Sequence, residues 1–306
     1  MRKAVVTGAC GFIGKVLTKT LLEKGVEVYA IVTNPENLDI FKSEKLHVIK
    51  AFFEEYSSLA EILPENIDVF YHLAWQGTFG KAFENYNLQL TNVKYACDTV
   101  MLAAKIKVKK FVLASTVNTL ETLSYYDKNE FFTPRYTNIY ATSKLAADMI
   151  GKTLAYNNNL EFNTGLIAMV YGENNKSRMI PNIVLSNLIY NRESNLIAAD
   201  TPYDLVYVGE VAEAFYHIGL EGKNMKTYYV GHKEIKTFKE IFDNIRDIVN
   251  PKGILNYGKY ESTNAINFDL IDREALFVDT NYVEQNNFEE NIINTAKWVK
   301  ESGVFE

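Results

Sequence analysis

Short apolar runs rich in β-branched residues alternate with stretches of helical period through the first half of the 306-residue chain. The runs Lys3–Thr7, Glu27–Val32, Leu46–Lys50, Val69–Leu73, Phe111–Ala114 and Asn163–Val170 read as buried strands. Between the first two, Phe12–Lys24 places Ile13, Val16, Leu17, Thr20 and Leu21 on one helical face. A long helix is expected over Leu88–Ala104, and another from Tyr140 through "YATSKLAADMIGKTLAY", where Gly151 is tolerated at some cost. This alternation predicts a doubly wound α/β fold, a parallel sheet with helices on both faces. Beyond Tyr171 the pattern loosens into loops such as "GENNKSR" and "YNRESN". Short helices follow at Met179–Tyr190, Gly209–Leu220 and Phe238–Val249, and the chain closes on the amphipathic "FEENIINTAKWVKE". This part reads as a smaller second domain over the carboxyl ends of the strands, where such sheets bind ligands.

The turn after the first strand, "VVTGACGFIGKVL", carries Gly8, Gly11 and Gly14. Gly8 can take a conformation closed to other residues, Gly11 lets a ligand approach the main chain, and Gly14 lets the helix sit close on the strand. The free amides that follow, those of Phe12 and Ile13 first, then face outward with the positive end of the helix dipole, a setting for a pyrophosphate. The spacing is G-x-x-G-x-x-G, not the more familiar G-x-G-x-x-G. A glycine turn between strand and helix also occurs as plain structure, so the spacing alone leaves both readings open.

Composition narrows the function. Hydrophobic residues at 47% and charged ones at 23% describe an ordinary globular protein. A net charge of -6 argues against a nucleic-acid surface, and the densest basic cluster, Lys105 to Lys110, reads as a solvated helix end. Cys10, Cys97 and four scattered histidines give neither metal-ligand spacing nor a disulfide framework, which fits a reducing cytoplasm. No apolar run approaches membrane-spanning length, and Met1-Arg2-Lys3 leads straight into a strand rather than a signal-peptide core.

The candidate chemistry lies in "IYATSKLAA", where Tyr140 and Lys144 form an i, i+4 pair on one helix face. Such pairs recur by chance in a chain with 20 tyrosines; Tyr229 and Lys233 in "YYVGHK" match too and read as strand and turn. Upstream, "KKFVLASTVNTL" ends a central strand with Ser115 and Thr116, whose hydroxyls would reach the cleft. A free tyrosine is a poor base at neutral pH, whereas a nearby ammonium and a positive nicotinamide ring favour its phenolate. Such a set suits proton transfer at an alcohol while a hydride moves between its carbon and a nicotinamide.

Seven ordered segments resemble the extended short-chain dehydrogenase/reductase family, the nucleotide-sugar epimerases, dehydratases and reductases. They are "TGACGFIG", "DVFYHLAW", "NLQLTNV", "KKFVLAST", "YATSK", "MVYGEN" and "YDLVYVGEVAEAF", with a fainter match at "FVDTNYVEQNNFEENIINTAKWVKE". The resemblance implies a Rossmann-type domain at residues 1–170 and a mainly substrate-binding domain at 171–306, part of 204–220 returning to the first. It also implies Tyr140 as acid/base, Lys144 as its partner and ribose ligand, and Thr116 as the hydroxyl nearest the substrate, with Ser115 as fallback. The cofactor set adds Gly8, Gly11, Phe12, Ile13, Gly14, Thr33, Asn34, Leu73, Ala74, Trp75 and Asn92; Tyr171, Arg178 and Tyr203 join Thr116 at the substrate. A homodimer built on the two long helices is implied as well.

Departures from the family pattern are as informative. Val32 and Thr33 replace the Asp that ends the second strand, so the carboxylate on an NAD ribose is missing and NADP(H) is mildly favoured over NAD(H). Ala51 stands where an acidic residue often follows the third strand. Val117 and Asn118 replace the acidic pair of dehydratases, and Tyr203 replaces the arginine on the substrate diphosphate, with Arg178 or Arg273 as candidates in its stead. The function expected is an NAD(P)-dependent ketoreductase or epimerase acting at a ring carbon, most often C4, of a nucleoside-diphosphate sugar. A non-catalytic cofactor-binding or scaffold member of the same fold is the alternative, and a dehydratase the least favoured outcome. His72 reads as a core imidazole, Asn92 as either a surface residue or a polar group near the site, and Trp75 as either a cleft or a packing residue.

Overall fold

The computed structural model describes the chain except for residues 39–41, 79, 128–136, 261–265, 286 and 306. One sheet holds β1 (Lys3–Thr7), β2 (Glu27–Val32), β3 (Leu46–Lys50), β4 (Val69–His72), β5 (Lys110–Thr116), β6 (Glu161–Ile167) and an edge strand, Thr227–Val230. From that edge the order is Thr227–Val230, β6, β5, β4, β1, β2, β3, with every pairing parallel. The order reverses between β1 and β4, which opens a crevice at the carboxyl ends of these strands. This is the Rossmann-type doubly wound sheet.

The helices are α1 (Phe12–Glu23), α2 (Tyr86–Lys105), α3 (Asn118–Asp127), α4 (Thr137–Asn157), α5 (Ile180–Ile189), α6 (Val208–Glu221), α7 (Phe238–Val249), α8 (Ala275–Thr280) and α9 (Phe288–Ser302). Successive strand residues point to opposite faces. Ala4 and Val6 accordingly pack with Leu17 and Leu21 of α1, Phe215 of α6 and Leu276 of α8, while Val5 packs with Val100 and Ala103 of α2 and Ala147 of α4. A sheet covered on both faces explains why its strands read as apolar runs rather than alternating ones. A third cluster, including Val184, Leu188, Phe238, Phe242 and Ile292, builds the C-terminal lobe from α5, α7 and α9.

Two strand boundaries, at the end of β6 and at the end of β5, differ from the sequence expectation in ways that matter. The run expected as one strand over Asn163–Val170 is broken at Ala168; Met169–Tyr171 leaves the sheet and pairs with Leu205–Tyr207 at the base of the lobe. Helix α6 returns against α1, and its Phe215 ring occupies the space a side chain at Gly165 would need, an added Cβ lying 2.6 Å from the ring. The segment holding Tyr229 is the sheet edge itself, with the tyrosine fully buried and its hydroxyl on Asp204, so the second Tyr-x-x-x-Lys match is structural. Strand β5 runs two residues further than its apolar core and carries Ser115 and Thr116 to the crevice.

Candidate active site

The glycine turn has the geometry of an anion cradle. Gly8 lies at φ +67°, and a Cβ there would stand 2.9 Å from the Ala74 nitrogen. A Cβ at Gly14 would come to 2.1 Å from the Gly8 carbonyl oxygen, so only glycine lets α1 seat on the turn. Gly11 caps α1 without a side-chain bond, its N–H donating to the Gly8 carbonyl at 2.9 Å, and no acidic residue occupies the first turn. The leading amides of α1, at Phe12, Ile13 and Gly14, are left without helical acceptors and share the positive end of the dipole. Beside a Cβ built at Gly11 only the Gly8 oxygen lies within 4 Å, so the cradle is open. These residues fit a dinucleotide pyrophosphate.

At the end of β2, Thr33 and Asn34 are exposed, and the Cys10 thiol donates to the Asn34 carbonyl at 3.3 Å, tying this loop to the glycine turn. The loop after β4 joins the cradle to the Tyr140–Lys144 pair. Ala74 of the stretch Leu73–Trp75 backs Gly8 and donates its N–H to the Thr7 hydroxyl at 3.3 Å. His72 is buried with its Nδ1 at 3.0 Å from the same hydroxyl; burial, with the nearby Lys144 charge, lowers its pKa to about 3 and keeps the imidazole neutral. Asn92 is buried too, not at the surface: it accepts from the Gln76 N–H at 2.9 Å and donates to the Gln76 carbonyl at 2.8 Å, clamping the loop.

Tyr140, Lys144 and Ser115 are all buried, and the Thr116 hydroxyl lies beside the Tyr140 phenol. Burial raises the Tyr140 pKa well above that of a free phenol, with the Thr116 hydroxyl pulling the other way. Lys144 is brought down to about 7 by burial. Its Nζ donates to the Ala114 carbonyl at 2.9 Å and lies 3.8 Å from the centre of the Trp75 ring. The ammonium therefore rests on the β5 backbone rather than on the Tyr140 oxygen. Trp75 meets Tyr140 edge-on at 6.3 Å between ring centroids, and Phe83 lies at 4.8 Å.

The residues expected at the substrate do not converge in the same way. Tyr171 is buried beside Tyr207 at the base of the lobe. Tyr203 packs on Phe238 at 5.0 Å and on Phe242 at 5.9 Å, and its buried hydroxyl, at a cavity of about 360 Å³, has no partner among the described residues. Asp204, Glu210, His232 and Glu284 line that cavity. Asp204 accepts from the Tyr229 hydroxyl at 2.5 Å and the His232 N–H at 2.9 Å, and pairs with His232 Nδ1 at 2.6 Å. Burial opposes the His232 charge, but the Asp204 bond and the Glu210 and Glu284 carboxylates outweigh it and raise the pKa to about 9. The sequence reading missed this pair; its one signal was an acid between the apolar Tyr203 and Leu205. Arg178 is exposed and forms no ion pair among the described residues, whereas Arg273 donates to the Lys233 carbonyl at 2.8 Å.

A parallel sheet with a glycine cradle and, at its carboxyl end, a buried tyrosine–lysine pair beside a half-buried threonine defines the class of Rossmann-type dinucleotide-dependent proteins. The chain belongs to the NAD dependent epimerase/dehydratase family, whose model matches residues 4–231. It is 27% identical over 257 residues to dihydroflavonol 4-reductase from Callistephus chinensis, covering 77% of this chain and 70% of that protein. CDP-abequose synthase from Salmonella muenchen is 23% identical over 275 residues, 84% of each chain. Among solved structures, UDP-glucose 4-epimerase from Thermotoga maritima superposes with a TM-score of 0.79 at 19% identity, covering 98% of this chain and 99% of that one.

Proposed function

We propose that the protein transfers a hydride at a ring carbon of a nucleoside-diphosphate sugar, in a C4 keto reduction or a C4 epimerisation. The observation that carries this reading is the Tyr140 phenol, buried against Thr116 and next to Lys144, on the same sheet end as the glycine cradle and linked to it by Leu73–Trp75. A nicotinamide dinucleotide held at Gly8, Gly11, Phe12, Ile13 and Gly14, with Thr33 and Asn34 toward its ribose, would supply or accept the hydride. Thr116 and Tyr140 hold the sugar oxygen between their hydroxyls, and Tyr140 gives that oxygen its proton or takes it back. Burial keeps Tyr140 protonated at neutral pH, the state that reduction of a ketone requires. Lys144, charged below about pH 7, stabilises the phenolate left behind. The names of the plant reductase and the epimerase both specify position 4, and CDP-abequose synthase is named for a nucleotide-linked sugar.

The finer assignments belong to the same proposal. With no carboxylate at Val32, Thr33 or Asn34, NADP(H) is favoured mildly over NAD(H), by less than about two orders of magnitude in affinity. Arg178, exposed and without an ion pair among the described residues, is the first candidate for the substrate diphosphate, since the carboxylates around Tyr203 repel one. Leu90 and Met101 of α2 and Met149 of α4 stay exposed on helices that already pack together, a surface for a second copy of the chain. The two free cysteines, Cys10 and Cys97, fit a cytoplasmic protein.

Native mass spectrometry of the purified protein with a panel of nucleoside-diphosphate sugars and a dihydroflavonol tests the substrate class. Retention of one dinucleotide and one nucleotide sugar per chain is expected. Retention of the dihydroflavonol alone would contradict it, and binding of both ligands with no conversion would point to the non-catalytic alternative.

A further inference from the structure

The Lys144 ammonium is buried, and no carboxylate pairs with it among the described residues. The residue is 4% exposed, so water is scarce, and among the described residues the Ala114 carbonyl is its one hydrogen-bond acceptor although an ammonium carries three donors. The charged groups near it are engaged elsewhere or neutral. His72 on β4 is neutral, and Tyr140 one turn away on α4 is protonated. Asp148, on the next turn, pairs with Lys152 at 3.1 Å and accepts from Thr164; Glu121 on α3 accepts from Tyr125 and Asn138. What remains in contact with the charge is the face of the Trp75 indole, and an aromatic face attracts a desolvated cation.

That indole is itself held in place. Its Nε1–H donates to Gln89 Oε1 at 2.8 Å, and the fully buried Gln89 donates through Nε2 to the Gly77 carbonyl at 2.8 Å and the Ala82 carbonyl at 3.0 Å. Gly77 lies at φ +70°, and a Cβ there would stand 2.7 Å from the Leu88 side chain, so the loop sits tight on α2. Asn92, one turn along α2, fixes the Gln76 backbone next to Trp75. Gln89 and Asn92 thus lock ring and loop to one rigid helix.

We propose that Trp75 is a positioning residue for Lys144: its indole, fixed by Gln89, holds the ammonium on the β5 carbonyl and keeps it charged in a dry site. This assignment concerns the place and charge of Lys144, and it rests on the reading above only for its consequence in turnover. A ring that merely filled space would affect stability and leave the titration of Lys144 alone.

The test is a titration of the full chain labelled with carbon-13 at the lysine Cε, followed by NMR, with the Lys144 signal assigned through Lys144→Met. The parent midpoint is expected near the value of about 7 that burial sets. Removing the ring face withdraws support from the charged form, so the midpoint falls. Trp75→Leu should lower it by about one pH unit, tenfold in the ionisation constant, and Trp75→Phe by roughly half as much. Gln89→Met frees the indole without removing it and should also lower the midpoint; it is the deciding variant if Trp75→Leu does not fold. A folded Trp75→Leu protein with an unchanged or raised midpoint would overturn the proposal, as would an unchanged midpoint in Gln89→Met when the leucine variant cannot be obtained. None of these readings needs the substrate, so a failure of the nucleotide-sugar assignment is told apart from a failure of this one.

Discussion

The sheet half and the C-terminal lobe build recognition from different material. In the sheet half the cradle is main chain: the amides of Phe12, Ile13 and Gly14 are available because three glycines let a turn and a helix approach each other. In the lobe, candidate contacts are side chains on short elements, Tyr203 on a two-residue strand and Arg178 in a loop, and each can be diverted by a neighbour. Tyr203 is diverted into an aromatic cluster with Phe238 and Phe242. A backbone-built site leaves a spacing in the sequence, whereas a side-chain-built one depends on packing that spacing does not record.

Substitutions in the two halves should therefore fail differently. The largest effect belongs to Tyr140→Phe, which keeps the ring and removes the proton: turnover should fall by about a thousandfold while dinucleotide affinity stays within about twofold. Steady-state rates with a binding titration check both, and near-normal turnover would remove Tyr140 from the chemistry. Next comes a matched glycine pair. In Gly14→Ala the new Cβ meets backbone, the Gly8 oxygen, at 2.1 Å, so dinucleotide affinity should drop more than tenfold and stability by about 1–3 kcal/mol. In Gly253→Ala the new Cβ meets chiefly the far end of the Leu188 side chain, which can move, with the Asn250 carbonyl oxygen further off at 3.1 Å, so the cost should stay at about 1 kcal/mol with dinucleotide affinity unchanged. Denaturant melts and titrations of both variants measure the contrast, and equal losses of affinity would erase it.

Smaller effects sharpen the comparison inside the lobe. Arg178→Ala should weaken nucleotide-sugar binding about tenfold and leave the dinucleotide alone; equal affinity in calorimetry would move the diphosphate to Arg273. The Asp204–His232 pair gives the lobe its own pH signature. His232 titrates near 9 in the folded protein, above the ordinary 6.5, so its contribution is complete below pH 6.5 and is lost as pH rises through about 9. Urea melts across that window should show a loss of about 2 kcal/mol, and His232→Gln should flatten it.

Much of the sheet half was legible because buried strands and an amphipathic α1 leave strong periodic signals. The strands β1, β2 and β3 run as read, and the helices α2 and α4 differ from expectation by a few residues at their ends. The helix α3, Asn118–Asp127, went unread, since its mixed polar sequence lacks a clear apolar face. The edge strand Thr227–Val230 could be read as a strand but not placed, because its partner β6 lies some sixty residues away and four residues carry no pairing information. At the candidate site, the meeting of Tyr140, Lys144 and Thr116 was legible through spacing and company. The support around them was not: Gln89 looks like any polar residue of an amphipathic helix, and only the folded loop brings Trp75 between it and Lys144.

The measurement that bears most directly on hydride transfer at a nucleotide sugar is isotopic. The protein is supplied with a 4-keto nucleoside-diphosphate sugar and a nicotinamide dinucleotide carrying deuterium at the transferable position, and the sugar is analysed by mass spectrometry. One deuterium on the ring carbon is expected with the parent chain and none above background with Tyr140→Phe. A parent chain that binds both molecules yet leaves the sugar unlabelled, or a Tyr140→Phe chain that labels it at the parent rate, would contradict the assignment.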